Sequence, residues 1–210
     1  MSAVLERTLP EPGVEPDSGK LGMWVFLASE ILFFGGLFVA YLYGRTHWPQ
    51  GFALASRRTD VVLGTVNTAV LLTSSALVAL AVAGDAHPRA RRFGARLLAA
   101  TAALGVLFLA LKGVEWHAEW REHLVPGPRF ALAATPGAEE FFALYFVMTG
   151  LHGVHMIVGI ALLAAFARGR AAQRAWAGAG NVEVVALYWH FVDVVWIFLY
   201  PLLYLVERHG

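Results

Sequence analysis

The sequence predicts an all-α fold, an integral membrane bundle of five transmembrane helices. Of 210 residues, 58% are hydrophobic and only 15% charged, with a mean hydropathy of +0.60, whereas soluble domains carry about 25% charged residues. Five apolar runs, at residues 21–44, 60–83, 93–113, 140–167 and 184–206, each approach or exceed the ~20 residues that cross a ~30 Å hydrocarbon core as a helix. What remains is a tail rich in Pro, Gly and acidic residues and four short connections, none with the pattern of a soluble domain. Residues 1–20 therefore read as an N-terminal cytoplasmic tail and residues 21–210 as one five-helix domain. The tail has no basic stretch followed by an apolar one, so span one is not expected to be a cleaved signal.

Orientation follows from the basic residues. With the N-terminus inside, the inner segments hold Arg7, Lys20, Arg89, Arg91, Arg92, Arg96, Arg168, Arg170 and Arg174; the outer ones hold Arg45, Arg57, Arg58, Arg121, Arg129 and Arg208. The excess favours a cytoplasmic N-terminus and an outer C-terminus under the positive-inside rule. A net charge of +1 gives no reason to expect nucleic acid as a partner.

Span one carries the most informative residue. Glu30 lies about 15 Å along the helix from Leu21, near the bilayer midplane, where an acid costs about 2.5–3.5 kcal/mol even on the lenient insertion scale. It must face protein and not lipid tails, with His152 or His155 as the candidate neighbour. Gly22, Ser29 and Gly36 recur at seven-residue spacing beside it, a small-residue seam for helix packing.

Span two carries the run NTAVLLTSS at residues 67–75. At the far end of span three, Lys112, Glu115, His117, Glu119 and Arg121 alternate with Trp116 and Trp120, which reads as an interfacial extension whose charges face water. In span four, His152 and His155 stand at i, i+3 on one face. They fit a metal or proton-relay pair, or two histidines hydrogen-bonded across a helix interface; the second reading is preferred, because no third ligand appears at matching depth. Gly150, Gly153 and Gly159 thin the same helix. Span five places His190 and Asp193 at i, i+3, where imidazole and carboxylate can pair within a turn, and its Trp189, Asp193, Trp196 and Tyr200 read as a packing seam.

The chain has no cysteine, which excludes c-type haem attachment, thiolate-held iron–sulfur clusters, Cys-ligated copper and disulfides. Only His152, His155 and His190 lie within spans, too few for several bis-His haems. Electrons in any assembly containing this chain are expected to pass through other subunits.

Four polar-in-membrane motifs carry a family resemblance. The runs LGMWVFLASEILFFGGLF at residues 21–38, NTAVLLTSS at 67–75, TGLHGVH at 149–155 and YWHFVDVVW at 188–196 resemble, in order, segments of cytochrome c oxidase subunit III. The resemblance implies a non-catalytic core subunit of a haem–copper oxidase in aerobic respiratory electron transport. Such a subunit binds no cofactor or metal itself, haem and copper being held by partner subunits. It packs on catalytic subunit I, works with subunit II, supports proton uptake and sustained turnover, and contacts membrane lipids, specific phospholipids among them. Glu30 matches the family's carbodiimide-reactive carboxylate, and His152, His155, His190 and Asp193 match its other buried polar positions, with no catalytic residue among them.

Seven-helix members have two further N-terminal helices and a lipid-holding cleft; here residues 1–20 stand in their place, which reads as a five-helix bacterial subtype of the plasma (inner) membrane. The accessory subunit of a nitric oxide reductase shares the five spans and an ending like FLYPLLYL at residues 198–205. Subunit III of a quinol oxidase is another alternative, although a Ser-Asp pair is common where this chain has Ser29 and Glu30. The connection EHLVPGP at residues 122–128 favours the bacterial cytochrome c oxidases. An independent proton or ion transporter built on Glu30 is the alternative from another class; the chain shows neither an internal repeat nor paired broken helices.

Overall fold

The computed structural model describes residues 18–83 and 90–205. The helices are α1 (Ser18–His47), α2 (Pro49–Ser56), α3 (Val61–Ala83), α4 (Ala90–Arg121), α5 (Ala138–Ala171) and α6 (Ala179–Tyr200), with a 3₁₀ turn at Ala175–Ala177 and a π-helical turn at Pro201–Leu205. All but α2 are long and apolar enough to cross a membrane, and no strand occurs among the described residues. The expected tail up to residue 17, Arg89 and Arg208 lie outside the described residues.

The helices overrun the apolar runs that announce them. α4 has 32 residues and α5 has 34, or about 50 Å at 1.5 Å per residue, against a ~30 Å hydrocarbon core. Their ends therefore stand in the headgroup region or in water. α5 starts after Gly137, whose φ of 84° suits glycine and where a Cβ would meet Trp48. Glu139 and Glu140 occupy its first turn, Arg168 and Arg170 its last, each sign at the end the helix dipole favours. α2 was not anticipated; its eight residues start on Pro49, a residue preorganised for the first helical position, and it buries Phe52 and Ala55. α3 starts where Asp60 accepts the amides of Val62 at 2.9 Å and Leu63 at 3.0 Å, an N-cap.

α6 is the central helix. In its most apolar stretch 61% of residues are buried within the chain, against 17% in α1. α3, α4 and α5 pack in succession, α6 packs against α3, α5 and α1, and α1 touches α5 as well as α6. Because lipid is as apolar as a leucine side chain, association rests on close fit and interhelical hydrogen bonds. Trp189, wholly buried, supplies the fit. Its ring lies where a Cβ at Gly105 of α4 or Gly159 of α5 would come within 2.7 or 2.8 Å of it. Of the glycines singled out in span four, Gly159 therefore makes the tight approach; Gly150 and Gly153 have neighbours at 3.4 and 4.0 Å.

The small-residue seam of α1 does not pack inside the chain. Gly22, Ser29 and Gly36 are all exposed, and a Cβ at Gly22 or Gly36 would meet nothing within 4 Å. The apolar residues of α1 that pack inward, Leu27, Phe34 and Tyr41, follow their own seven-residue repeat and rotate the seam away from the other spans. The reason is steric: aromatic and leucine side chains already fill the space facing α5 and α6.

Candidate functional site

Glu30 is half-buried on α1, and its carboxyl meets α5. Oε2 lies 3.2 Å from Nε2 of His155. The other ring nitrogen, Nδ1, is 2.9 Å from the Leu151 carbonyl one turn back. A carbonyl only accepts, so Nδ1 carries a proton and donates it. Nε2 is the ring nitrogen left to face Glu30 Oε2, at a distance that makes an ion pair when Nε2 is protonated. Phe34 packs edge-on to the ring, 5.5 Å between centroids, and the Tyr188 hydroxyl donates to the His155 carbonyl at 3.0 Å. The pair thus sits on the α1–α5–α6 contact, with 17–18% of each side chain still accessible.

His152, at i, i+3 from His155, does not join it. It is buried, with neither ring nitrogen hydrogen-bonded, between Phe108 of α4 at 5.6 Å and Trp196 of α6 at 5.2 Å. Of the two histidines, only His155 therefore reaches a polar side chain across a helix interface. Among the described residues no group of three or more His, Asp or Glu side chains is arranged to hold a metal.

The expected pairing of His190 with Asp193 is also corrected. His190 turns to α3, where its Nδ1 is 2.8 Å from the Ser75 hydroxyl. Asp193 is buried, beside Ser75, and its oxygens have no hydrogen-bond partner. The Ser75 hydroxyl lies across the helix interface, so the imidazole contributes to interhelical contact instead of closing a bond within its own turn. The same interface explains the polar run on α3. Trp196 donates its indole N–H to Thr68 at 3.0 Å, Trp189 to Ser74 at 3.1 Å, and Thr65 and Tyr200 join hydroxyls at 2.6 Å. Such interhelical bonds average about 0.6 kcal/mol each in a membrane, so several together fix the register of α6 on α3.

A second polar centre was misread from sequence. Lys112, Glu115 and Glu119 are buried at 5%, 2% and 4% exposure, not turned to water. The Lys112 ammonium donates to Glu115 Oε2 at 3.1 Å, Tyr145 at 2.6 Å and Tyr204. Both phenols in turn donate to Glu115 Oε1, at 2.9 and 2.7 Å. Helical spacing did put Lys112, Glu115 and Glu119 on one face; what sequence lacked was Tyr145 of α5 and Tyr204 of the π-helical turn, which close over that face.

Fold and sites together define a multi-pass helical membrane protein whose polar groups are built into helix contacts. The chain belongs to the cytochrome c oxidase subunit III family, whose profile matches residues 16–207; members are part of an oxidase complex. It is 34% identical over 202 residues to the cytochrome c oxidase subunit 3 of Thermostichus vulcanus, covering 92% of this chain and 90% of that one. The probable cytochrome c oxidase subunit 3 of Nocardia farcinica is 31% identical over 197 residues, 91% of this chain and 90% of the relative. The heme-copper oxidase subunit I+III of Aeropyrum pernix is 32% identical over 204 residues; that match takes in 90% of this chain but 23% of the much longer relative.

Proposed function

We propose that the chain is the non-catalytic subunit III of a bacterial cytochrome c oxidase, packed on catalytic subunit I beside subunit II and supporting proton uptake and sustained turnover. It lies in the plasma membrane with its N-terminus cytoplasmic and its C-terminus outside; haem and copper belong to the partner subunits. The Glu30–His155 pair carries the reading, because an acid and an imidazole within ion-pair distance at the edge of the bundle can respond to the charge of a neighbouring subunit without any redox centre of their own. The outward seam of Gly22, Ser29 and Gly36 lies on the same helix and offers a close-approach surface to that neighbour. A relative named as a fusion of subunits I and III supports direct contact between the two. His152, His190 and Asp193 serve the helix contacts that hold this pair in place, and lipids cover the remaining exposed apolar surface.

The test is Glu30→Gln in the purified oxidase complex reconstituted in vesicles. Haem content and initial O₂ reduction stay near wild type, while the proton-to-electron ratio falls or activity decays faster over successive turnovers. Immediate loss of the haem signal contradicts a non-catalytic role, and wild-type pumping and endurance contradict a role for Glu30 in either.

A further inference from the structure

The buried cluster at the far end of α4 is one positive charge short. Lys112, Glu115 and Glu119 together carry one cation and two carboxylates, all at 5% exposure or less. The ammonium has three N–H donors, and all are used on Glu115, Tyr145 and Tyr204. Each tyrosine has one hydroxyl proton, and both go to Glu115 Oε1. Glu115 is thereby a satisfied anion. Glu119 is left without a donor, and neither of its oxygens has a hydrogen-bond partner. A bare carboxylate so placed is unfavourable by several kcal/mol.

A cavity of about 300 Å³ adjoins it, lined by Arg58, Asp60, Leu63, Glu115, Ala118, Glu119 and Glu122. The charged groups facing Glu119 are Lys112, Glu115 and Glu122 on α4 and Arg58 and Asp60 on the α2–α3 connection, with the phenols of Tyr145 from α5 and Tyr204 from the π-helical turn. Asp60 is committed to capping α3. Arg58 lines the cavity but makes no hydrogen bond to Glu119, and a proton is the smallest cation that can neutralise a carboxylate so placed.

We propose that Glu119 is a proton-binding site beside the saturated Lys112–Glu115–Tyr145–Tyr204 network, filled from the aqueous phase at the Arg121 end of α4 through this cavity. On filling, one O–H bond forms on the Glu119 carboxylate and nothing else changes covalently. The site stands apart from the Glu30–His155 pair, so its test is independent of the reading above.

Infrared difference spectra of the whole oxidase complex at neutral pH decide it. Wild type shows a carboxylic-acid C=O band that shifts in D₂O; Glu119→Gln loses that band, and Glu119→Asp moves it, which keeps the proposal testable should the Gln variant fail to assemble. A band unchanged in both variants overturns the site. So does a Glu119-dependent carboxylate band that responds to added Na⁺ or Ca²⁺ with no acid band present, which would make the ligand a metal cation.

Discussion

His155 presents Nε2 to Glu30 at 3.2 Å while its Nδ1 is bound to the Leu151 carbonyl at 2.9 Å. With Nδ1 occupied by the carbonyl, Nε2 is the nitrogen that meets the carboxylate across the α1–α5 contact. Removing one partner leaves the other half-buried and unpaired, a loss of about 1.5–3 kcal/mol for a hydrogen bond to a charged group. In a double-mutant cycle on the stability of the solubilised complex, Glu30→Gln and His155→Leu should therefore couple, the double variant losing less than the sum of the singles. Strict additivity would show that the two side chains do not interact.

Two glycine substitutions separate packing inside the chain from packing outside it. Gly159→Leu puts a Cβ 2.8 Å from the Trp189 ring, and overpacking of this kind typically destabilises by about 1–3 kcal/mol, so the melting midpoint of the subunit falls. Gly36→Leu meets nothing within 4 Å; the subunit melts as wild type but its co-purification with the catalytic subunit weakens. Equal behaviour of the two variants in both measurements would refute the assignment of the α1 seam to a partner.

Lys112→Met should be among the most disruptive single changes, because it strands the Glu115 carboxylate in the bundle. Breaking a buried ion pair from one side costs about 3–5 kcal/mol. Lys112→Met combined with Glu115→Gln removes the stranded charge and recovers part of that loss. Thermal unfolding of both variants checks it; a double variant no more stable than Lys112→Met alone would mean that charge is not the cause.

Topology can be read directly, since the native chain has no cysteine. Ala172 and Arg129 are exposed at opposite ends of the bundle. An impermeant thiol reagent added to intact cells should label Arg129→Cys and leave Ala172→Cys untouched until the cells are opened. The reverse pattern would invert the orientation.

Length, hydropathy and the placement of the polar motifs determined by themselves that five helices cross the membrane, because in lipid a backbone must satisfy its own hydrogen bonds and a ~20-residue apolar run has few other solutions. Sequence likewise singled out Glu30, since an acid at that depth needs a partner. It could not choose between His152 and His155, which share a face: the rotation of α5 that turns one ring to Glu30 and the other between Phe108 and Trp196 depends on packing against α1, α4 and α6 at once. His190 and Asp193 looked paired because helical spacing brings them near, yet the Ser75 hydroxyl across the interface competes for the imidazole. The largest change concerns Lys112, Glu115 and Glu119, whose spacing marks a charged helix face without saying what covers it. Tyr145 and Tyr204 lie 33 and 92 positions from Lys112 in the chain, and only the tertiary fold brings their hydroxyls over that face, converting a surface expected to be solvated into a buried hydrogen-bonded network.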